Sequence, residues 1–446
     1  MAEDDRGEIM AWTELIERRT AKAKFYSDGE GHILAEYTLH DQHYQDASGV
    51  WQEVNEALED DGADGFTAKA GRMRHLIRGK DDGTRRWYPR RNVLTEYVQF
   101  GIPRYWSGTA WVTLPLGTPT REGNTLIWDR PTYALKVTVN WHKLKLDVTL
   151  KTSAAARRIR WPISLTGLTR SGWTLLSGGT VVGQVDAPTA EDALGNAYAV
   201  TASVVSGYVE FVANLTGAVF PVIIDPTLTL DEGEAGADND TYLSGYGTTN
   251  NYGSHAQLVI DNWLSQVGLI KFDCSSIPSD ATCDSATLSL WSVGTAGYVE
   301  VHSIASGNAA WIEGTRSGTQ ALSGEPCWDA LAANGSGGVT TAWAGSAGLQ
   351  TSGTDFEATL LGSADDDPIS ANTEVPVTLT ATRVEGWFGA TNTNYGLLLR
   401  NSGGYGATFH SSDGATAVYR PKLVVEYTEA ASGIIPVLMA QYRHRR

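Results

Sequence analysis

Leu269-Ile-Lys-Phe-Asp-Cys-Ser-Ser-Ile-Pro-Ser-Asp-Ala-Thr-Cys-Asp-Ser-Ala-Thr-Leu-Ser-Leu-Trp291 is the stretch that decides the fold. Two alternating apolar runs flank a polar turn around Pro278. A period of two places Ile270 and Phe272 on one face of the first run, and Leu288 and Leu290 on one face of the second. This predicts two half-buried antiparallel strands joined as a hairpin. The same pattern continues to the end of the chain, so the expected class is all-β: two β-sandwich domains, with a short N-terminal helix and a C-terminal tail.

The composition agrees. The 446 residues include 48 glycines and 15 tryptophans, and only 19% are charged. That is the profile of many strands and many turns. The net charge of −17 is unevenly spread: residues 230–446 hold nine basic and 23 acidic groups, so about −14 falls there. Phosphate binding needs clustered Lys and Arg, so no nucleic-acid partner is expected for that half. The start, Met1-Ala-Glu-Asp-Asp-Arg-Gly-Glu, lacks the apolar core of a secretory signal. No run reaches the roughly 18 apolar residues of a membrane span.

Trp12, Leu15 and Ile16 sit at helical spacing within 1–24. Strands are expected at 33–40, 49–54, 126–128, 133–139, 144–150, 199–205, 208–213 and 219–224, in a β-rich structural domain over 25–229. An acidic, Gly/Ala-rich linker follows at 230–240. A second domain covers 241–428, with strands at 256–260, 268–272, 286–291, 298–303, 375–380, 395–400 and 422–427. Val384-Glu-Gly-Trp-Phe388 reads as a short helix. Residues 306–372 form a long Gly/Ser/Thr-rich stretch in which Trp311, Trp328 and Trp343 are read as core or loop-packing residues. Residues 429–446 form an apolar-basic tail, a candidate for docking on a partner chain.

Several segments of the second domain together resemble the DNRLRE-type domain, which is similar to carbohydrate-binding module family 96. They are Asn250-Asn-Tyr-Gly253, Leu269–Asp273, Ser285–Leu290, Trp311-Ile-Glu-Gly314, Cys327-Trp328, Trp343-Ala-Gly345, Asn394–Leu399 and Arg420–Tyr427. The resemblance implies a jelly-roll-like sandwich of the kind found in secreted, wall-attached and phage-associated proteins, some of which bind acidic polysaccharides. The first domain resembles, through Thr38–Tyr44, Gly49-Val-Trp51 and Pro221–Thr227, the β-rich region that precedes such repeats in bacterial surface and Rhs-like proteins. Two departures stand out. Only Lys271, Arg316, Arg383, Arg400, Arg420 and Lys422 could serve an anionic ligand, which argues against a uronate. Cys274 and Cys283 stand where the family has aliphatic residues. They read equally as a disulfide or as a pair of small buried hydrophobes, and the paired replacement is the main reason to weigh the bridge.

Sugars present C–H faces that stack on aromatic rings, so Tyr242, Tyr246, Tyr252 and Trp263, in Gly/Asn-rich sequence, are the candidate ligand contacts. Asp238 and Asp240, and the run 365–367, are candidate calcium ligands; no other cofactor is expected. His40 and His43 are read as polar surface rather than metal ligands. The basic run Arg85–Arg91 is read as a solvated turn over a packed Trp87 and Tyr88. Nucleophile and zinc motifs are absent from the sequence. The expected function is a non-catalytic structural and adhesion protein, displayed on a virion or at an extracellular surface. Its expected partners are a surface polysaccharide and either its own copies or other surface proteins. A stand-alone carbohydrate-binding protein and a polysaccharide-degrading enzyme are the alternatives.

Overall fold

The computed structural model describes residues 12–430, except 47, 61–64, 71–73, 79–84, 89–93, 140–142, 154–157, 186–187, 195, 206, 226, 230–238, 262–264, 295–296, 365–369, 390–392, 402–405 and 415. The fold is all-β, with one α-helix among the described residues, Ala381–Phe388. No helix among them is long and apolar enough to cross a membrane. The chain divides into two compact units. The first comprises Met1–Arg19, Ala23–Leu39 and Gly236–Arg446; the second comprises Thr20–Lys22 and His40–Ala235.

The first unit is a sandwich of a six-stranded and a five-stranded sheet. The six-stranded sheet runs Thr13–Glu14, Ala23–Ser27, His32–Thr38, Lys422–Thr428, Thr282–Trp291, Glu374–Thr378. The five-stranded sheet runs Asn239–Ser244, Gln266–Lys271, Leu397–Arg400, Val299–Ile304, Phe356–Ala364. Their inner faces share one apolar core. Phe25, Ala35, Leu288, Leu290, Val425 and Tyr427 come from one sheet, and Ile270, Val299, Val301, Leu397 and Leu399 from the other.

Three expectations are corrected here. Strand His32–Thr38, assigned above to the first domain, instead pairs along its whole length with Lys422–Thr428. Its alternating Ile33, Ala35 and Tyr37 are buried in the first unit's core, and only that inner face can accept them. The N-terminal helix is not formed within the described residues. Thr13–Glu14 is a strand and Ile16–Arg18 a single 3-10 turn, with Ile16 half-exposed. Lastly, the two runs of the deciding stretch do not form a hairpin. Gln266–Lys271 pairs with the strands of the five-stranded sheet, and Thr282–Trp291 with those of the six-stranded sheet. The ten residues 272–281 between them form an arch across the core. Hairpin loops are usually two to five residues. Ten suffice to cross the roughly 10 Å between packed sheets. The arch also buries Phe272, Cys274, Ile277 and Ala281, so its own side chains fill the interval.

The outer face of the five-stranded sheet is covered as well. Residues 306–355 lie over it as a roof with little regular structure. Trp311, Leu331, Trp343 and Leu349 from the roof meet Leu243, Val267, Leu269, Ile304 and Leu398 from the sheet. This is why Leu397-Leu-Leu399 does not alternate: Leu398 faces the roof while its neighbours face the core. Buried side chains satisfy the roof's irregular backbone. Asp355, fully buried, accepts from Gly345 N (2.7 Å), Ser346 N (2.9 Å), Thr351 N (2.9 Å) and Asn308 Nδ2 (3.1 Å). Glu325 accepts from Thr315 N and Leu322 N, both at 2.8 Å. Such pairing is what permits irregular chain to be buried at all.

The second unit contains a ten-stranded and an eleven-stranded sheet sharing a core in which Trp87, Trp128 and Trp161 are the largest buried side chains. Trp128 Nε1 donates to Gly117 O at 3.0 Å and Trp161 Nε1 to Gly101 O at 2.9 Å, so neither buries an unpaired N–H.

Candidate functional site

The candidate ligand-contact tyrosines have different fates. Tyr242 lies on the edge strand Asn239–Ser244 with its ring in the core, 5% exposed. Tyr252 is half-buried and stacks on Tyr242, with ring centroids 4.1 Å apart and planes 27° off parallel. His255 stands edge-on to Tyr242 at 5.5 Å. Burial and then the neighbouring Tyr252 hold the Tyr242 phenol well above its ordinary range. Tyr246 is 76% exposed. The two belong to one surface: a β-carbon at Gly247, next to Tyr246, would lie 3.0 Å from the Tyr252 hydroxyl. Tyr242 is therefore a supporting residue rather than a contact. Trp263 lies outside the described residues.

Asn251 builds this surface. Its side chain is fully buried, with Nδ2 donating to Glu313 O (2.9 Å) and Pro326 O (3.0 Å). Its Oδ1 accepts from Gly253 N and Arg316 N, both at 3.0 Å. Those four bonds use the amide's full capacity. Asn250 adds a bond from Nδ2 to Gly318 O at 2.9 Å. At Gly253 a β-carbon would come within 2.2 Å of Glu313 O, so only glycine lets the two loops close. The Asn250-Asn-Tyr-Gly253 segment is thus the clamp that joins the 245–255 turn to the 313–320 loop.

Arg316 is the cation fixed on this clamp, through its own N–H and through Ser254 N donating to its carbonyl at 2.9 Å. The other basic residues of the unit are largely committed elsewhere. Arg383 pairs with Glu357, and Lys422 with Glu36 at 3.4 Å. Arg420 is buried and donates to Gly414 O, and Arg400 covers the Phe356 ring at 4.7 Å. Arg316 has no ion pair among the described residues, and its Nε is buried without a hydrogen bond. The surface thus offers an exposed ring, a half-buried ring and a guanidinium. That set can stack on a sugar face and donate hydrogen bonds to its oxygens.

Residues 234–318 match the family model of carbohydrate-binding module family 96. The matched stretch holds Tyr242, Tyr246, the Asn251 clamp and Arg316, and it ends within the loop that the clamp secures. It touches the second unit only at that unit's last two residues, 234 and 235. No curated protein matches the chain.

The remaining candidates are placed as follows. Asp238 and residues 365–367 lie outside the described residues. Asp240 is 1% exposed and accepts from Ser412 N (2.8 Å) and Ser412 Oγ (2.5 Å), a structural arrangement. His40 and His43 are buried rather than at the surface, and His43 Nδ1 lies 2.8 Å from Thr20 O. Of the two readings of Cys274 and Cys283, the bridge is not formed. Both are buried thiols, as is Cys327. The hydrophobic reading of the pair is the one the structure supports: both side chains sit in the core that the arch fills. In the basic run, Trp87 is fully buried and Arg86 lies on the opposite face of its strand.

The second unit also has a cleft of about 480 Å³ lined by Tyr105, Leu114, Arg130, Tyr133, Val148 and Ile159, among others. Tyr133 Oη donates to Pro115 O at 2.7 Å. The lining is mainly apolar. Asn251, Asn308, Glu325 and Asp355 were not anticipated as organising residues. The sequence signal for Asn251 was its place in the family segment; the other three carry none, because their partners are backbone groups of distant loops.

Proposed function

We propose that the protein binds a polysaccharide without transforming it, and that Tyr246, Tyr252 and Arg316 make the contact. One observation carries this reading: Tyr246 is three-quarters exposed, beside Tyr252, on a rigid clamp inside the stretch that matches a carbohydrate-binding module family. An exposed tyrosine held by buried hydrogen bonds loses little freedom on binding. With one guanidinium on the site, the ligand is a largely neutral glycan.

Affinity electrophoresis of the full chain through gels containing neutral polysaccharides tests the proposal. Removing one stacking ring costs about 0.5–1.5 kcal/mol, so Tyr246→Ala and Tyr252→Ala should each weaken retardation about two- to tenfold with the fold unchanged by circular dichroism. Undiminished retardation of Tyr246→Ala would overturn the site. Measurable turnover of the retarding polysaccharide would favour the enzyme alternative.

The setting we propose is display on a phage particle or another extracellular assembly, where a two-unit all-β protein serves a structural and adhesive role. The all-β architecture and the acidic surface charge support it. Light scattering that showed only monomers would favour a stand-alone carbohydrate-binding protein instead.

A further inference from the structure

The solvent face of the ten-stranded sheet in the second unit concentrates positive charge in an acidic protein. Strand Arg158–Thr166 alternates: Ile159 and Trp161 enter the core, while Arg158 and Arg160 face outward. Strand Tyr208–Ala213 does the same, with Val209 and Phe211 inward and Tyr208 and Glu210 outward. The register then sets Arg104 directly opposite Arg160, Trp106 opposite Trp111, and Glu210 on the far side of Arg160.

The guanidinium of Arg160 lies 4.2 Å from the ring centroids of both Trp111 and Tyr208. Arg158 lies 5.6 Å from Trp106 and 5.3 Å from Trp111. Two aromatic rings beside each guanidinium restrict the orientation of these planar groups.

The charges on this face are unbalanced. Across strands Arg104–Trp106, Trp111–Thr113, Arg158–Thr166 and Tyr208–Ala213 the one carboxylate is Glu210, which pairs with Arg158 at 2.6 Å. Arg104 and Arg160 face each other across antiparallel strands and have no ion pair among the described residues. Like charges directly opposite one another are destabilising. Arg160 Nε is also buried without a hydrogen bond. A fold that tolerates this pair in a chain of net charge −17 has a use for it.

We propose that this face binds an anionic polysaccharide whose carboxylate or sulfate groups sit between Arg104 and Arg160. Both anions are planar or trigonal oxygen arrays that accept two parallel N–H bonds from a guanidinium. The stacked rings leave the N–H edges, not the ring faces, as the available chemistry. That arrangement disfavours single-stranded nucleic acid, which gains affinity by stacking its bases on open aromatic faces. The site lies outside the carbohydrate-module match and is argued from its own charges. The choice of a polysaccharide to carry those anions rests on the reading of the first unit.

The full chain should bind polygalacturonate or dextran sulfate in titration calorimetry at low salt, with the affinity falling as salt rises. Whichever polymer binds more tightly identifies the anion. Arg104→Gln and Arg160→Gln should each weaken that affinity about tenfold, and Arg160→Lys less than Arg160→Gln. Tyr246→Ala should leave it unchanged. If Arg160→Gln fails to fold, Arg104→Gln alone decides, since no ring contact among the described residues holds that side chain. The proposal is overturned by unchanged affinity in Arg104→Gln, by wild-type protein that binds neither polyanion, or by tighter binding of oligothymidylate than of either. It is also overturned by dimers that form without polymer and vanish in Arg104→Gln, because a second copy would then be the anion. Polyanion binding with no neutral-glycan binding would defeat the first unit's proposal and leave this one standing.

Discussion

The five-stranded sheet of the first unit and the ten-stranded sheet of the second have similar inner faces and opposite outer ones. The first is roofed by residues 306–355 and buries Trp311 and Trp343 beneath them. The second leaves its outer face in solvent, with Trp106 and Trp111 among arginines. The difference shows what decides where a tryptophan goes. Trp311 Nε1 donates to Tyr395 O at 2.8 Å, and Trp343 Nε1 to Cys327 O at 3.0 Å. Irregular chain supplies those carbonyls, Cys327 within the roof and Tyr395 just before strand Leu397–Arg400, because backbone there is not consumed in a ladder. On the open sheet, neighbouring carbonyls are committed to strand pairing, and cations cover the rings instead.

The largest effect expected from this contrast is on stability. Trp311→Ala removes a fully buried ring and should cost about 4 kcal/mol in denaturant titration. Trp106→Ala, on the open face, should cost less than about 1 kcal/mol. Comparable losses from the two would mean that the outer faces are not distinct in the way described.

Next is the anchor of the roof. Asp355→Ala strands several buried N–H groups and should cost roughly 3 kcal/mol. The carboxyl also predicts a pH response. Burial by itself would raise its pKa, but hydrogen bonds from Thr351, Gly345, Asn308 and Ser346 outweigh burial and hold it below the ordinary range. A depressed pKa means that the stabilisation is complete above about pH 4, the unfolded value, and fades as the pH falls toward the folded one. Tryptophan fluorescence of the roof should therefore shift below pH 4, and Asp355→Asn should flatten that step. The second unit carries a parallel case. Asp192 accepts from the backbone of Leu194, Asn196 and Val219 and from Tyr198 Oη, which together overcome its burial and depress its pKa. Acid should loosen that loop over the same range, and far-UV dichroism of Asp192→Asn would show the step removed.

The sequence pattern was most informative where one face of a strand is buried and the other wet. Tyr133–Val139 and Tyr208–Ala213 were expected at those same positions, because alternation marks both the strand and its inner face. It was least informative where partners are remote. Nothing local in His32–Thr38 reveals that it pairs with Lys422–Thr428 at the far end of the chain. Phe356–Ala364 was hidden in a long polar stretch because its buried residues, Phe356, Leu361 and Ala364, do not alternate. The arch was legible in principle, since ten residues are too many for a tight hairpin turn. At the candidate site, the exposure of Tyr246 agreed with its Gly/Asn-rich context. Tyr242 did not, because its context is set by the strand and not by the glycines that follow it. The arginine face went unnoticed for a related reason: Arg158 and Arg160 acquire meaning only beside Arg104 and Trp111, which a different part of the chain supplies.

The smallest effect concerns the arch that joins the first unit's two sheets. A disulfide would have made that crossing covalent; buried thiols leave it to packing. Burial, then the carboxylates of Glu385 and Asp284, push the Cys283 thiol up to about 12, and burial also raises Cys327. The thiolate is the reactive form, so at pH 8 a disulfide reagent should label native protein slowly and label three thiols once the chain is unfolded. A reductant should leave Tm unchanged, whereas removing a native bridge costs several kcal/mol and would lower it. One reactive thiol in denatured, unreduced protein would show that the crossing is covalent after all. The roofed sheet would then owe part of its stability to a bond that the open sheet, with no cysteine in its unit, does not have.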